Sequence, residues 1–408
     1  MAWQLKIHHI DVGRGDSTLI VAREVGVAEP KVRSVLVDGG LLDATQDVHN
    51  ITQCNKLDVM VATHYDEDHL NGLRGLLLLG DDHYLNTRIY DQGIPNTVRI
   101  TKKRTAEGDV KYLKSIAAGD SGYKLYEDSI YNRLRVTENV VSSLDLIATG
   151  NQEDMEMVGL QQPDWLVGKD ILWDGVDGVI PDGAPRMTCI AANQYVLQSD
   201  GTTARLQSGV LTDSANEKSL AFVVQFNNFR YYLGGDIESA QEDGKDNTPG
   251  IMQYLNPQGN AEGRVLAFKV SHHGSAKSTS QQFVNRLKPA VAFISTGCDK
   301  KYGDEYLPSQ RVIDTLQNSD VRLCFLTEDR NTESWRDYAQ YNSNKVVVGG
   351  KWSGPDNTRH EPAGDIVLTV SEEESKRPLT AATHFRVIFY YSSQHPWVVD
   401  EGNKHVEL

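Results

Sequence analysis

The chain has 408 residues, 39% hydrophobic and 24% charged, which is the balance of a globular protein with enough apolar material for a large core. Its formal net charge of −15 excludes a protein that coats nucleic acid through a global basic field, though it leaves room for a local basic groove. No apolar run approaches the roughly 18 residues of a membrane-spanning helix, so no membrane span is expected.

The N-terminus, Met1-Ala2-Trp3-Gln4-Leu5-Lys6-Ile7, lacks the basic, apolar, small-residue order of a signal peptide, and a cytoplasmic location is expected. Gln4–Val12 begins with apolar residues at alternate positions, the pattern of a half-buried strand. A tight turn at Gly13–Asp16 leads to strands at Ser17–Ala22 and Arg33–Val37, the second ended by Asp38-Gly39-Gly40. Leu57–Thr63 is almost continuously apolar, as in a strand covered on both faces. A helix follows from about His69 to Leu79. Residues 85–212 break this rhythm with polar, mixed sequence, including Lys102-Lys103-Arg104, Trp165 and Trp173. About 120 residues is too long for a plain loop. An inserted subdomain or helical excursions over one mouth of the core are expected there.

Regular strands return at Ser219–Phe226 and Phe229–Leu233, joined by Asn227-Asn228 as a hairpin and closed by Gly234-Gly235-Asp236. Val265–Val270 is an apolar strand that runs into Ser271-His272-His273-Gly274-Ser275. Helices are predicted at Gln281–Leu287 and Ser309–Asn318, and strands at Ala290–Ser295 and Val321–Leu326. Residues 330–362 read as loop, and late strands fall at Ile366–Val370 and Phe385–Tyr391. The four cysteines, Cys54, Cys189, Cys298 and Cys324, form no CxxC pair. That argues against a zinc ribbon and for buried, reduced thiols.

The chemistry concentrates in Thr63-His64-Tyr65-Asp66-Glu67-Asp68-His69, between a buried strand and a helix. His64 and Asp66, two apart in extended backbone, point the same way. Asp68 and His69 fall on the turn and aim at a neighbouring point. Four ligand-type side chains at two adjacent positions suit a dinuclear site with metals about 3.5–4 Å apart. The plainer alternative is a polar turn in which Asp68 caps the helix. Asp236 and His272-His273, at the ends of two further strands, favour the metal site, because strand ends meet along one sheet edge. In Gly274-Ser275-Ala276-Lys277-Ser278-Thr279, small hydroxyl residues and a lysine suit a phosphate group, with Ser275 and Lys277 as candidate substrate contacts. A helix cap near Ser278 or Ser280 explains the same segment.

These motifs resemble the metallo-β-lactamase fold, and more closely the metallohydrolase domain of ComEC-type DNA-internalisation proteins and their soluble relatives. The matching set, in order, is His9-Ile10-Asp11-Val12-Gly13-Arg14-Gly15-Asp16-Ser17, Val35-Leu36-Val37-Asp38-Gly39-Gly40, Ala62 through Gly72, Asn216-Glu217-Lys218-Ser219-Leu220, Leu233-Gly234-Gly235-Asp236 and Lys269-Val270-Ser271-His272-His273-Gly274-Ser275. The resemblance implies an α/β fold, an αββα sandwich. Its halves would be 1–84 and 213–330, with 85–212 inserted and 331–408 a C-terminal extension. It further implies one divalent metal on His64 and Asp66 and a second on Asp68 and His69, with Asp236 bridging. His273 would complete the second site, His272 would face the substrate phosphate, and Asp38 would orient the loop from behind.

Two departures bear on the metal. Asp66 stands where the family usually has a second histidine, which hardens the site and shifts preference from Zn²⁺ toward Mn²⁺ or Mg²⁺. The family's further histidine between the loop and the bridging aspartate is missing, since His83 comes too early. The first site would be weak, or would borrow Asn216 or Asp213; Asn216 is equally a candidate substrate contact. The implied activity is metal-dependent hydrolysis of a phosphodiester in DNA or RNA by an activated water, with Asp68, Asp236 and His272 as the catalytic group. A hydrolase of small phosphodiesters or esters, and a degenerate site kept as a binding module, are the alternatives.

Overall fold

A computed structural model describes residues 2–13, 15–41, 48, 57–78, 87–92, 98–104, 110–116, 166–176, 179–192, 195–206, 215–245, 248–296, 307–327, 346–348, 364–379, 384–391 and 404–407. Strands β1 (Ala2–His9), β2 (Thr18–Val25) and β3 (Val32–Val37) form an antiparallel meander. The chain then switches to parallel pairing through β4 (Val59–Val61), helix α1 (Glu67–Leu78) and β5 (Arg88–Tyr90). β6 (Val98–Arg104) and β7 (Val110–Ile116) make a separate hairpin. β8 (Arg186–Ala192), β9 (Tyr195–Leu197) and β10 (Thr203–Arg205) follow, then the hairpin β11 (Ala221–Phe226) and β12 (Phe229–Leu233).

After β12 come α2 (Ser239–Asp243), the short pair β13 (Gly244–Lys245) and β14 (Thr248–Pro249), and α3 (Ile251–Leu255). Parallel crossovers then run β15 (Ala267–Lys269), α4 (Gln281–Leu287), β16 (Val291–Ile294), α5 (Gln310–Gln317), β17 (Leu323–Leu326) and β18 (Val346–Val348). The last elements are β19 (Gly364–Ser371), α6 (Glu372–Ser375), β20 (His384–Tyr391) and β21 (Lys404–Glu407).

Two large sheets result. One has eight strands in the order β21-β20-β19-β1-β2-β3-β4-β5, and the other nine, β10-β9-β8-β11-β12-β15-β16-β17-β18. They pack face to face over one hydrophobic cluster, to which Leu5, Ile20 and Val35 come from the first sheet and Phe222, Tyr231 and Phe293 from the second. Adjacent tyrosines of β12 show the layering. Tyr231 hydrogen-bonds His9 of the opposite sheet at 3.1 Å, whereas Tyr232 points outward and meets Phe283 of α4 edge-on, 5.5 Å between ring centres. Helices therefore cover the outer face of the second sheet. Leu19, Leu36, Met60 and Ile89 are buried but stand apart from the inter-sheet cluster, as do Leu70, Leu73 and Leu76 of α1. Both faces of the first sheet are thus covered at this end. The architecture is an α/β sandwich of two mixed sheets flanked by helices.

Local chemistry explains the boundaries. Ser280 and Ser309 cap α4 and α5 by accepting from the amides of Phe283 and Val312. Helix α1 begins at Glu67, so Asp68 lies in its first turn with Glu67, where carboxylates favour the positive helix end. Two strand assignments change. Val346–Val348, inside a stretch read as loop, is the edge strand β18; three residues are too few to show a period. Within 85–212, every regular element among the described residues is a strand. β5 joins the first sheet and β8–β10 the second, and Leu166, Ile171 and Trp173 enter the shared cluster. Leu57–Thr63 shortens to Val59–Val61, because Thr63 turns to bond Asp38. Among the described residues, no helix is long and apolar enough to cross a membrane.

Candidate metal centre

The proposed ligands lie on the loops that leave β4, β12 and β15 and in the first turn of α1, at one edge of the sandwich. β4 delivers His64 and Asp66, and the start of α1 delivers Asp68 and His69. β12 ends at Gly234-Gly235-Asp236, and β15 runs into His272 and His273. These strands have parallel neighbours, so their C-terminal ends open on the same side, the usual location of sites in such sheets.

Asp236 is the focus. Its carboxylate lies 3.7 Å from His64 Nε2, 3.2 Å from His69 Nε2, 3.6 Å from His272 Nε2 and 3.6 Å from His273 Nε2. Asp66 approaches His64 Nε2 at 3.6 Å, and Asp68 approaches His273 Nε2 at 3.9 Å. His64, His69 and His273 are buried, while the Asp66 side chain is 49% exposed and that of His272 15%. The cluster is closed beneath and opens at Asp66 and His272.

The far nitrogen of each buried ring is tied to the scaffold. His69 Nδ1 sits 2.7 Å from Asp38, His64 Nδ1 3.1 Å from the Thr63 hydroxyl, and His273 Nδ1 3.0 Å from the Ser295 carbonyl. Asp38 also accepts from Thr63 N at 2.8 Å and from Thr63 Oγ1 at 2.7 Å. Holding Nδ1 fixes each ring's orientation and leaves Nε2 facing the centre. His272 (φ 52°) and His273 (φ 51°) adopt left-handed backbone at a cost of about 1–2 kcal/mol per residue, and Asp38 (φ 59°) adopts it more cheaply, because a short polar side chain tolerates that region. Such strain gathers where geometry serves a site. His272 N bonds the Gly235 carbonyl and its own carbonyl accepts from Ser275 N, which pins the turn.

The electrostatics are those of a cation site. Burial opposes charge on His69, but Asp236 and Asp38 outweigh it and hold its pKa well above the usual histidine value. His273 is likewise lifted against burial to about 9 by Asp236 and Asp16. Burial works against ionised Asp236, yet His69, His273 and His272 hold its carboxyl far below the usual range. Burial depresses His272, with Asp236 pulling the other way.

The donors fit a divalent metal. Imidazole nitrogens and carboxylate oxygens form an N/O set suited to Zn²⁺ or Mn²⁺. His64 Nε2 is buried and aimed at the centre without a hydrogen-bond partner. One carboxylate cannot satisfy four imidazoles.

Of the other candidates, Asn216 and Lys277 lie at the rim beside His272 and Glu238, and Ser275 does not. Asn216, in a short 3₁₀ turn, places Nδ2 3.2 Å from His272 Nε2. Ser275 is buried, and its hydroxyl accepts from Lys277 N at 3.4 Å. Lys277 is 70% exposed, with its ammonium 3.8 Å from Glu238. The same Glu238 oxygen lies 3.8 Å from His272 Nδ1, so Glu238 links the two. Arg14, His83 and Asp213 lie outside the described residues.

Sequence reading missed Glu238, Asp16 and Lys269. Asp16 shares a four-residue grouping with His69, Asp236 and His273, their ligand atoms all within 4.8 Å of one another. Its place in a glycine turn hid it, although the turn belongs to a matching motif. His9 is a core residue, stacked on Phe293 at 4.4 Å and pushed by burial to a pKa of about 3.

No family model matches the chain. Over 118 residues it is 32% identical to ComE operon protein 3 of Bacillus subtilis (strain 168), a match covering 29% of this chain and 13% of that protein. Similar solved structures include the metallo-beta-lactamase fold protein YhfI from Bacillus subtilis, at 11% identity and a TM-score of 0.31, covering 79% of this chain and 85% of that one. Tm1679, described as a metal-dependent hydrolase of the beta-lactamase superfamily, is 12% identical with a TM-score of 0.34, covering 79% and 95%. The short form of human tRNase Z is 14% identical with a TM-score of 0.32, covering 78% and 91%. The ComEC-type resemblance read from the ordered motifs agrees with the match to ComE operon protein 3 over those 118 residues.

Proposed function

We propose that the chain is a metal-dependent hydrolase of the cytoplasm that cleaves phosphodiesters, with DNA or RNA as the polymer substrate. The observation that carries this reading is the convergence of four imidazole Nε2 atoms on Asp236 within 3.2–3.7 Å, flanked by Asp66 and Asp68. The charge count favours two divalent ions. Asp38, Asp66, Asp68 and Asp236 bring four negative charges, which two divalent cations neutralise and one leaves half balanced. The cations, held by His64, Asp66, Asp68, His69, Asp236 and His273, would supply an activated water and offset charge on the phosphoryl oxygens.

The chain's own groups do the rest. Asp236 spans the cluster and orients the nucleophile. Asp38 fixes the His69 ring. His272, at the open rim with Asn216 on one side and Glu238 on the other, faces the phosphoryl oxygens as a donor. Lys277 borders the same opening, and its main-chain amide donates to the buried Ser275 hydroxyl. The 85–212 segment would set specificity, since loops around such a site vary while the scaffold is held.

A small phosphodiester is the second reading. The charge of −15 repels a long polyanion, and Lys277 at the rim is already shared with Glu238. The test is hydrolysis of bis(p-nitrophenyl) phosphate beside single-stranded and duplex DNA, with Mn²⁺, Mg²⁺, Zn²⁺ or EDTA, in wild type and Asp68→Ala. Metal-dependent cleavage, almost abolished in the variant, is the expected result. The polymer lanes separate the two substrate readings. Lack of cleavage with every metal overturns phosphodiester chemistry and leaves a non-phosphodiester substrate or a binding module.

A further inference from the structure

Beneath the centre lies a buried ion pair that the proposed reaction does not use. Lys269 is 1% exposed and Asp16 2%, and the ammonium contacts the carboxylate directly. Burying two charges costs several kcal/mol, and the pair's attraction roughly recovers it. Stability alone gives little reason to keep such a pair here.

Its other contacts supply one. Lys269 Nζ donates to the carbonyls of Gly235 and Val270, both at 3.3 Å. Gly235 precedes Asp236, and Val270 stands just before the histidine pair. Asp16 N donates to the carbonyl of Asp68 at 3.2 Å. Asp16 Oδ1 lies 3.4 Å from His273 Nδ1, on the side of the ring away from the centre. Gly15 presses so closely on the metal loop that a Cβ there would stand 1.9 Å from the Asp68 carbonyl oxygen. One ion pair thus touches all three ligand-bearing segments, mostly at main-chain atoms beside the ligands.

We propose that Asp16 and Lys269 form a positioning pair that fixes the spacing of the Asp68, Asp236 and His273 segments for the metals, and that Asp16 itself is not a ligand. Lys269 holds one carboxylate oxygen of Asp16, and the other faces the rear nitrogen of His273. This rests on reading the cluster as a metal centre. It separates cleanly from a direct-ligand role. Were Asp16 a ligand restrained by Lys269, removing the lysine would free it and tighten binding. A positioning pair predicts the opposite, because the loops lose their common anchor.

The experiment measures Zn²⁺ and Mn²⁺ dissociation constants by competition with a chelating dye for wild type, Asp16→Asn, Lys269→Met and the double variant. Thermal unfolding in EDTA reports the apo fold of each. Each folded single variant is expected to bind metal about 10- to 100-fold more weakly. The double variant is expected to lose much less than the product of the two, because the residues act as a unit. Should a single variant fail to fold with one charge stranded, the neutral double variant decides by the same measure. Folded variants within twofold of wild type, tighter binding by Lys269→Met, or failure of all three to fold would each overturn the proposal. Wild type that binds neither metal overturns this and the proposed function together. Weakened variants beside a wild type that binds metal but cleaves no phosphodiester leave the pair in place and overturn only the substrate reading.

Discussion

Asp38→Ala tests whether the centre is built from behind. Asp38 is buried and accepts three bonds, from Thr63 N at 2.8 Å, Thr63 Oγ1 at 2.7 Å and His69 Nδ1 at 2.7 Å. Truncation strands the Thr63 amide and the His69 ring, at about 1–3 kcal/mol each. The Thr63 hydroxyl escapes, because it can turn wholly to His64 Nδ1, 3.1 Å away. Alanine at φ 59° adds about 1–2 kcal/mol of backbone strain. The expected loss is about 3–8 kcal/mol, comparable with the whole stability of many domains. Asp38→Asn is milder for the fold, since asparagine tolerates left-handed backbone and keeps an acceptor for Thr63 N. Its amide would donate to His69 Nδ1 and move the ring proton to Nε2, the face that should bind metal. Urea unfolding in EDTA measures the first effect, and dye-competition titration of Zn²⁺ the second. An alanine variant that loses under about 1 kcal/mol, or an asparagine variant with unchanged Zn²⁺ affinity, would refute this account of how His69 is held.

Other consequences are as direct. Gly15→Ala places its Cβ 1.9 Å from the Asp68 carbonyl oxygen at φ 115°, so it should lower apo stability by several kcal/mol and weaken metal binding, read by the same two titrations. A metal at about 100 times its dissociation constant should stabilise the protein by roughly 2.7 kcal/mol, so EDTA should lower the unfolding temperature reversibly; identical melting with and without metal would count against the centre. Burial pushes the Glu242 carboxyl up to about 8, with Ser271 and the Thr279 amide pulling the other way. The folded state therefore keeps a proton that the unfolded chain releases near 4.5. The stabilisation is complete below that pH and fades toward pH 8 at about 1.4 kcal/mol per pH unit. Glu242→Gln should flatten this part of the pH–stability curve, and equal slopes in both proteins would place the carboxyl elsewhere.

The sequence alone determined the elements with a clear period or punctuation. The strands around Phe226 and Leu233, the helix at Gln281–Leu287 and the ligand loops at Thr63–His69 and Ser271–Ser275 were legible because apolar alternation, serine caps and glycine turns act over a few residues. The proposed ligands were legible for the same reason, since histidine and aspartate at strand ends announce themselves locally. Tertiary structure decided what depends on neighbours distant in sequence. β18 is a strand only because β17 offers an edge to pair with, and β5 and β8–β10 belong to the sheets although their stretch shows no period. Asp16 reads as a turn residue and Lys269 as a lone polar residue in an apolar strand. They become one buried ion pair under the ligand loops only when the sandwich closes over 250 residues of intervening chain, because charge pairing acts through space and leaves no periodic trace in the sequence.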